Sequence, residues 1–66
     1  MQIQVNGEPL ELADNATISV LVSQIVLEGQ RYAIEVNEEI ISRSHHDTHC
    51  LCDGDQVEVV QAIGGG

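Results

Sequence analysis

Gln2-Ile3-Gln4-Val5-Asn6-Gly7-Glu8-Pro9-Leu10-Glu11-Leu12 opens the chain, and its reading decides the fold. Gln2 to Val5 alternates polar and apolar side chains, the two-residue period of a half-buried strand. Asn6-Gly7 follows, a dipeptide suited to a two-residue hairpin turn because both positions tolerate φ > 0. Leu10-Glu11-Leu12 alternates again as the return strand, with Pro9 at its start, where a missing N–H does least harm. The chain therefore begins with a β-hairpin.

Beyond the hairpin, Asp14, Asn15 and Thr17 offer N-cap oxygens. Ile18, Leu21, Val22 and Ile25 then fall at i, i+3, i+4 and i+7, one apolar stripe of a helix. Val20, Val22, Ile25 and Val26 are β-branched and argue for a strand. The run from Ile18 to Leu27 lacks strict alternation, so it reads as a helix, with Gly29 as its stop. Tyr32-Ala33-Ile34-Glu35-Val36 gives a third strand. Asn37-Glu38-Glu39 turns the chain, and Ile40-Ile41 begins a short fourth strand. Ser42 to Thr48 is polar and reads as a loop. Asp53-Gly54-Asp55 is a turn into a last strand, Gln56 to Gln61, with Val57 and Val59 on one face and Glu58 and Val60 on the other.

A hairpin, one helix, and a final strand returning to the middle of the sheet make an α+β chain of β-grasp layout. The expected sheet is mixed, of four to five strands, covered by one main helix, with first and last strands parallel by a right-handed crossover. Residues 1–63 form this domain and residues 64–66 a flexible glycine tail.

Composition narrows the function. The 66 residues carry 2 basic and 11 acidic side chains, a net charge of −9. Such a chain repels phosphate backbones and anionic lipid, so nucleic acid and membrane surfaces are poor partners. A basic protein pocket suits it better. No apolar run approaches a membrane span, and two cysteines are too few for a disulfide framework, so the protein is expected to be cytoplasmic. The only cations are Arg31 and Arg43, each expected to pair with a surface carboxylate.

Three groups of residues have chemical potential. The first is the end of the chain, Ala62-Ile63-Gly64-Gly65-Gly66, which follows the last strand with no polar linker. Glycine has no Cβ and can thread a narrow channel. A carboxylate is a poor electrophile until a phosphoryl or adenylyl group converts it to an acyl donor. An ATP-dependent partner could do this at Gly66, which leaves the acyl centre unhindered. The second group is His45-His46-Asp47-Thr48-His49-Cys50-Leu51-Cys52. His45, His46, His49, Cys50 and Cys52 are all zinc-ligand types, but their spacing does not match the usual zinc patterns, and the bland alternative is a polar loop with small, partly buried cysteines. In an extended Cys50-Leu51-Cys52 both thiols point to one side and Leu51 to the other. The third reading, Cys50 or Cys52 as a nucleophile activated by His46 or His49, lacks an orienting third group. Two cysteines also cannot supply the four thiolates of a [2Fe–2S] cluster.

The stretch Ala33 to Ser44, the segment Asp53-Gly54-Asp55-Gln56-Val57-Glu58-Val59, the opening Gln2 to Glu8 and the terminal glycines together resemble the ThiS-type sulfur carrier proteins of thiamine biosynthesis. The resemblance covers essentially the whole chain, and its specific parts are the Asp-Gly-Asp turn and the glycine tail. It implies a ubiquitin-like fold whose Gly66 is adenylated by an E1-like (ThiF-type) enzyme using ATP and magnesium. A cysteine desulfurase or other donor would then supply sulfur. The Gly66 thiocarboxylate would deliver it to a ThiG-type thiazole synthase, the carrier itself catalysing nothing. Gly65 and Gly66 match the family's tail, whereas Gly64 stands where glycine is often absent. Proline and tryptophan, frequent near Arg43 in the family, are replaced by Ser42, His45 and His46, and the Cys50/Cys52 pair is not a family feature. The neighbouring expectations are the small subunit of molybdopterin synthase, another sulfur carrier or a protein modifier. From a different class comes a small metal-binding protein built on His45 to Cys52.

Overall fold

The computed structural model describes residues 1–25 and 31–61. Five strands and one helix follow in the order β1 Gln2–Val5, β2 Glu8–Glu11, α1 Ile18–Gln24, β3 Tyr32–Val36, β4 Glu39–Ile41 and β5 Gln56–Gln61, with a 3-10 turn at Arg43–His45 before β5. The strands form one mixed sheet in the order β2-β1-β5-β3-β4. The last strand lies at the centre. It runs parallel to β1, with Gln4 opposite Gln56 and Val5 opposite Val57, and antiparallel to β3 from Tyr32–Gln61 to Val36–Val57. This is the β-grasp arrangement expected from the sequence.

Both hairpins turn on an asparagine. Asn6 and Gly7 have φ of 51° and 83°, the left-handed values that a two-residue turn of type I′ requires. Asn37 and Glu38 repeat the device at 51° and 70°. The second turn is one residue shorter than the sequence suggests, so β4 starts at Glu39 and not at Ile40. Nothing about a glutamate advertises a left-handed position, and this hid the boundary. The first return strand also shifts: β2 spans Glu8–Glu11, with Pro9 inside it opposite Gln4. Pro9 is tolerated because β2 is an edge strand, and Leu12, past the strand, is still buried.

Helix α1 is shorter than its apolar stripe. Thr17 is the N-cap, and its hydroxyl accepts from Val20 N–H at 3.4 Å. Ile18 and Leu21 are buried, while Val22 and Ile25 pack against the core from its edge. Ile25 already has extended dihedrals and ends the helix, as a β-branched residue readily does. Val26, Leu27 and the expected stop at Gly29 lie outside the described residues.

The core sits between this helix and one face of the sheet, with Ile3, Ile18, Leu21, Ile34 and Val57 sealed from solvent. Val57 is buried and Val59 packs on the core, whereas Glu58 and Val60 stand on the opposite, open face. That alternation is the one read from the sequence. No helix among the described residues is long and apolar enough to cross a membrane.

Candidate functional site

The expected reacting segment, Gly64 to Gly66, and the boundary after residue 63 lie outside the described residues. What the structure describes is the platform from which that segment departs, the C-terminal half of β5. The central position of β5 gives it ladder partners on both sides, but β1 runs out at Val5, and the backbone turns away at Asn6. The Asn6 side chain takes over. Asn6 N–H donates to Val57 O at 2.9 Å, and Val59 N–H donates to Asn6 Oδ1 at 2.8 Å. The carboxamide thus supplies the acceptor that the departing backbone no longer offers.

The other end of β5 is fastened by Asn37 and the Asp53-Gly54-Asp55 turn. Gln56 N–H donates to Asn37 Oδ1 at 2.9 Å, Asn37 N–H donates to Gln56 O at 2.7 Å, and Asn37 Nδ2 donates to Asp55 Oδ1 at 3.0 Å. Asp55 Oδ2 accepts from Cys52 N–H at 2.8 Å, and Asp53 Oδ1 accepts from Gln2 N–H at 2.8 Å. Gly54, at φ 85°, donates to Gln2 O at 2.8 Å. The motif singled out in the sequence is therefore a clamp between the first strand and the start of the last. A short, acceptor-rich side chain before and after a left-handed glycine is what this geometry needs.

Near the departure point, Tyr32 stands opposite Gln61 in the register. Its ring is stacked on His46, with centroids 6.2 Å apart, and the Arg43 guanidinium carbon lies 4.0 Å from its centroid. Arg43 thus makes a cation–π contact with Tyr32, which the sequence does not signal. His46 was expected in an open polar loop and is instead buried, with Nε2 3.1 Å from Ile41 O. No local signal marks this, since its partners Tyr32 and Ile41 are distant in pattern from the loop.

The loop around His46 also completes the helix. The first free N–H groups of α1 are met by loop carbonyls, Ile18 N–H to His49 O at 3.2 Å and Ser19 N–H to His46 O at 3.0 Å. Leu51 N–H donates to Ala16 O at 2.8 Å, and the Ser19 hydroxyl donates to the Asp47 carboxylate. The polar residues from 42 to 52 are thus an N-terminal cover for the helix.

This placement divides the candidate metal ligands. His46 is committed to the core, His45 is exposed in the 3-10 turn, and Cys50 and Cys52 are exposed on either side of buried Leu51, the alternation expected of an extended segment. Cys50 and Cys52 were expected buried or half-buried as small hydrophobes; they are exposed because Leu51 takes the core position between them. Among the described residues no group of three or more His, Cys, Asp or Glu side chains is gathered to hold a metal ion. His49, Cys50 and Cys52 share only a shallow groove with Glu39, Ile41 and Asp55. Asp55, in that groove, immediately precedes β5 at the end of the strand opposite Gln61.

Residues 3–66 match the model of the ThiS family. The chain is 35% identical over 65 residues to the sulfur carrier protein ThiS of Bacillus subtilis (strain 168), covering 97% of this chain and 98% of that one. It is similar to the crystal structure of a thiamine biosynthesis protein (ThiS) from Geobacter metallireducens, with a TM-score of 0.85 and 32% identity over the whole of both chains. It is also 32% identical over 66 residues to a thiazole synthase of Paramagnetospirillum magneticum (strain ATCC 700264 / AMB-1), of which it spans 20% of the length.

Proposed function

The chain belongs to the ThiS family, the sulfur carriers of thiamine biosynthesis, and on that premise we propose that Gly66 is the atom-bearing end of the carrier, passing from carboxylate to acyl-adenylate to thiocarboxylate. The observation that supports the assignment is the match of residues 3–66 to the ThiS family model.

In the first step a terminal carboxylate oxygen attacks the α-phosphorus of ATP, and magnesium pyrophosphate leaves. The acyl-adenylate is now electrophilic at its carbonyl carbon. The terminal sulfur of a persulfide, loaded from cysteine by a desulfurase, attacks that carbon and expels AMP; a second thiol then attacks the donor sulfur of the resulting acyl disulfide, so that the donor leaves as a disulfide and a C(O)S⁻ group remains on Gly66. Each step belongs to a partner: a ThiF-type adenylating enzyme, the sulfur donor and a ThiG-type thiazole synthase that receives the sulfur. The glycines contribute a narrow, side-chain-free approach to each partner.

The partnership with thiazole synthase has support from a relative in which a segment resembling this chain is part of a thiazole synthase. The chain's own share of the chemistry is presentation. Its charge of −9 raises the encounter rate with basic pockets, an effect that weakens as salt rises.

Intact-mass analysis after incubation with the adenylating enzyme, the desulfurase, cysteine and magnesium-ATP tests this reading. Replacement of one terminal oxygen by sulfur, absent when Gly66 is deleted, is the expected result. An unchanged mass with competent partners overturns it.

A further inference from the structure

We propose that Cys50 and Cys52 form a two-thiolate site for a soft monovalent cation, copper(I), held between the two sulfurs. The site stands apart from Gly66 and does not depend on the sulfur-carrier chemistry above.

Placement comes first. Cys50 and Cys52 are exposed on either side of buried Leu51, and both line one shallow groove. Side chains at i and i+2 of an extended segment leave the backbone on the same side. The two thiols therefore share one volume, which His49, Glu39 and Asp55 also line.

Spacing decides what the pair can hold. In an extended segment the two Cα atoms, and the Cβ atoms above them, lie about 6.6 Å apart. A disulfide needs Cβ atoms about 3.8 Å apart, so the segment would have to pinch. Three contacts resist this. Leu51 N–H donates to Ala16 O at 2.8 Å with its side chain in the core, and Cys50 is bridged to Thr17. Cys52 N–H donates to Asp55 Oδ2 at 2.8 Å. A linear sulfur–metal–sulfur unit with bonds of about 2.3 Å needs its sulfurs only about 4.6 Å apart. Rotation of each side chain about χ1 supplies the difference while the backbone stays in place.

Ligand number selects the ion. Zinc takes four ligands in a tetrahedron, and among the described residues no group of three or more His, Cys, Asp or Glu side chains is gathered for one. Copper(I) is soft, prefers thiolate and is satisfied by two such ligands. The carboxylates of Glu39 and Asp55 are hard and compete poorly for it, while their charge favours a cation in the groove. Binding is a plain exchange. One copper(I) enters, two thiol protons leave, and the bis-thiolate complex carries one negative charge. No electron moves.

The test is anaerobic competition between the carrier, in its carboxylate form, and bicinchoninate, a chromophoric copper(I) chelator. Native mass spectrometry identifies the product. Withdrawal of one copper(I) per chain from the chelator, seen as a one-copper adduct, is the expected result. Cys50→Ser and Cys52→Ser are each expected to abolish the withdrawal. His49→Ala and deletion of Gly66 are expected to leave it unchanged, and circular dichroism reports whether each variant is folded. Failure to draw copper(I) from the chelator, or retention by either folded single cysteine variant, overturns the proposal. An equal loss with His49→Ala or on deletion of Gly66 does so too. Half an ion per chain, or zinc retained in place of copper(I) when both are offered, also overturns it.

Discussion

Asn6 holds Val59 across the gap left where β1 ends: Val59 N–H donates to Asn6 Oδ1 at 2.8 Å, although the two residues are 53 positions apart. The same asparagine shapes the first hairpin turn at φ 51°, so one side chain closes the hairpin and steadies the strand that leads to the tail. Asn37 does the equivalent at the other end of β5, through Gln56 and Asp55. The turn residues of the two hairpins are thus also the fasteners of the central strand.

The double role of Asn6 is separable by substitution. Asn6→Gly keeps the left-handed turn accessible and removes the hydrogen bond, a loss of about 1 kcal/mol. Asn6→Ala removes the bond and adds the left-handed penalty of a residue with a Cβ, roughly 1–2 kcal/mol more. In a domain of this size each kcal/mol lowers Tm by about 4–8 °C. Thermal unfolding should therefore rank wild type above Asn6→Gly above Asn6→Ala. Equal values for wild type and Asn6→Gly would show that the carboxamide contact contributes nothing beyond the turn.

Gly54 poses the opposite case, a turn position with room but no conformational tolerance. Its φ is 85°, and a Cβ placed there meets no atom within 4 Å. The cost of Gly54→Ala is therefore wholly backbone strain, about 1–2 kcal/mol, and Gly54→Asn should cost less because asparagine enters the left-handed region more readily. Urea unfolding of the pair checks this. A Gly54→Ala midpoint indistinguishable from that of wild type would mean that the turn, and with it the Asp53 and Asp55 clamp, adjusts without strain.

Ile34 lies in the core with no exposed surface, on the strand that pairs with β5. Ile34→Val should cost about 1 kcal/mol and Ile34→Ala about 2–5 kcal/mol, the cavity adding to the lost transfer energy. At about 0.05–0.15 kcal/mol per residue, a 66-residue domain has roughly 3–10 kcal/mol in total. The alanine variant should accordingly be partly unfolded at 37 °C, seen as lost dispersion in proton NMR. A fully folded Ile34→Ala at that temperature would contradict the tightness of this core.

Glu35 and Glu58 stand directly opposite each other on the open face of the sheet. Like charges in a cross-strand pair are destabilising, by a few tenths of a kcal/mol at an exposed site. Glu58→Gln should raise Tm by a few degrees at low salt, and the gain should fade as salt is added. A gain that persists in high salt would point to packing rather than repulsion.

Much of this fold was legible because its signals are local. Two-residue alternation in Gln2–Val5 and Tyr32–Val36, Asn6-Gly7 and the Asp53-Gly54-Asp55 turn each fix a short piece of backbone, and their order suffices for a β-grasp. The helix end at Ile25 and the start of β4 at Glu39 were less legible, since a β-branched residue and a glutamate adopt dihedrals that neighbours in space impose. The burial of His46 and the seating of Arg43 on Tyr32 were not legible at all. Both depend on the 42–52 segment folding over the helix N-terminus, through carbonyls that every residue type carries. The tail glycines stand out in the sequence alone, but the root beside them is a product of the tertiary structure.

The cysteines give a last prediction, and it bears on the chemistry. Cys50 and Cys52 are exposed, flank buried Leu51, and sit where Cys52 N–H meets Asp55 at the start of β5. The strand β5 is about 17 Å long, so a thiol beside its start would meet the acyl group of its own Gly66 only if the five residues after Gln61 doubled back, fully extended, along the whole strand. Exchanging sulfur for oxygen in two exposed side chains should also change stability by no more than about 0.5 kcal/mol. Cys50→Ser/Cys52→Ser should therefore form the Gly66 thiocarboxylate at the wild-type rate, measured by intact mass over time with the partner enzymes present. A large fall in that rate, with Tm unchanged, would make these thiols participants in sulfur transfer.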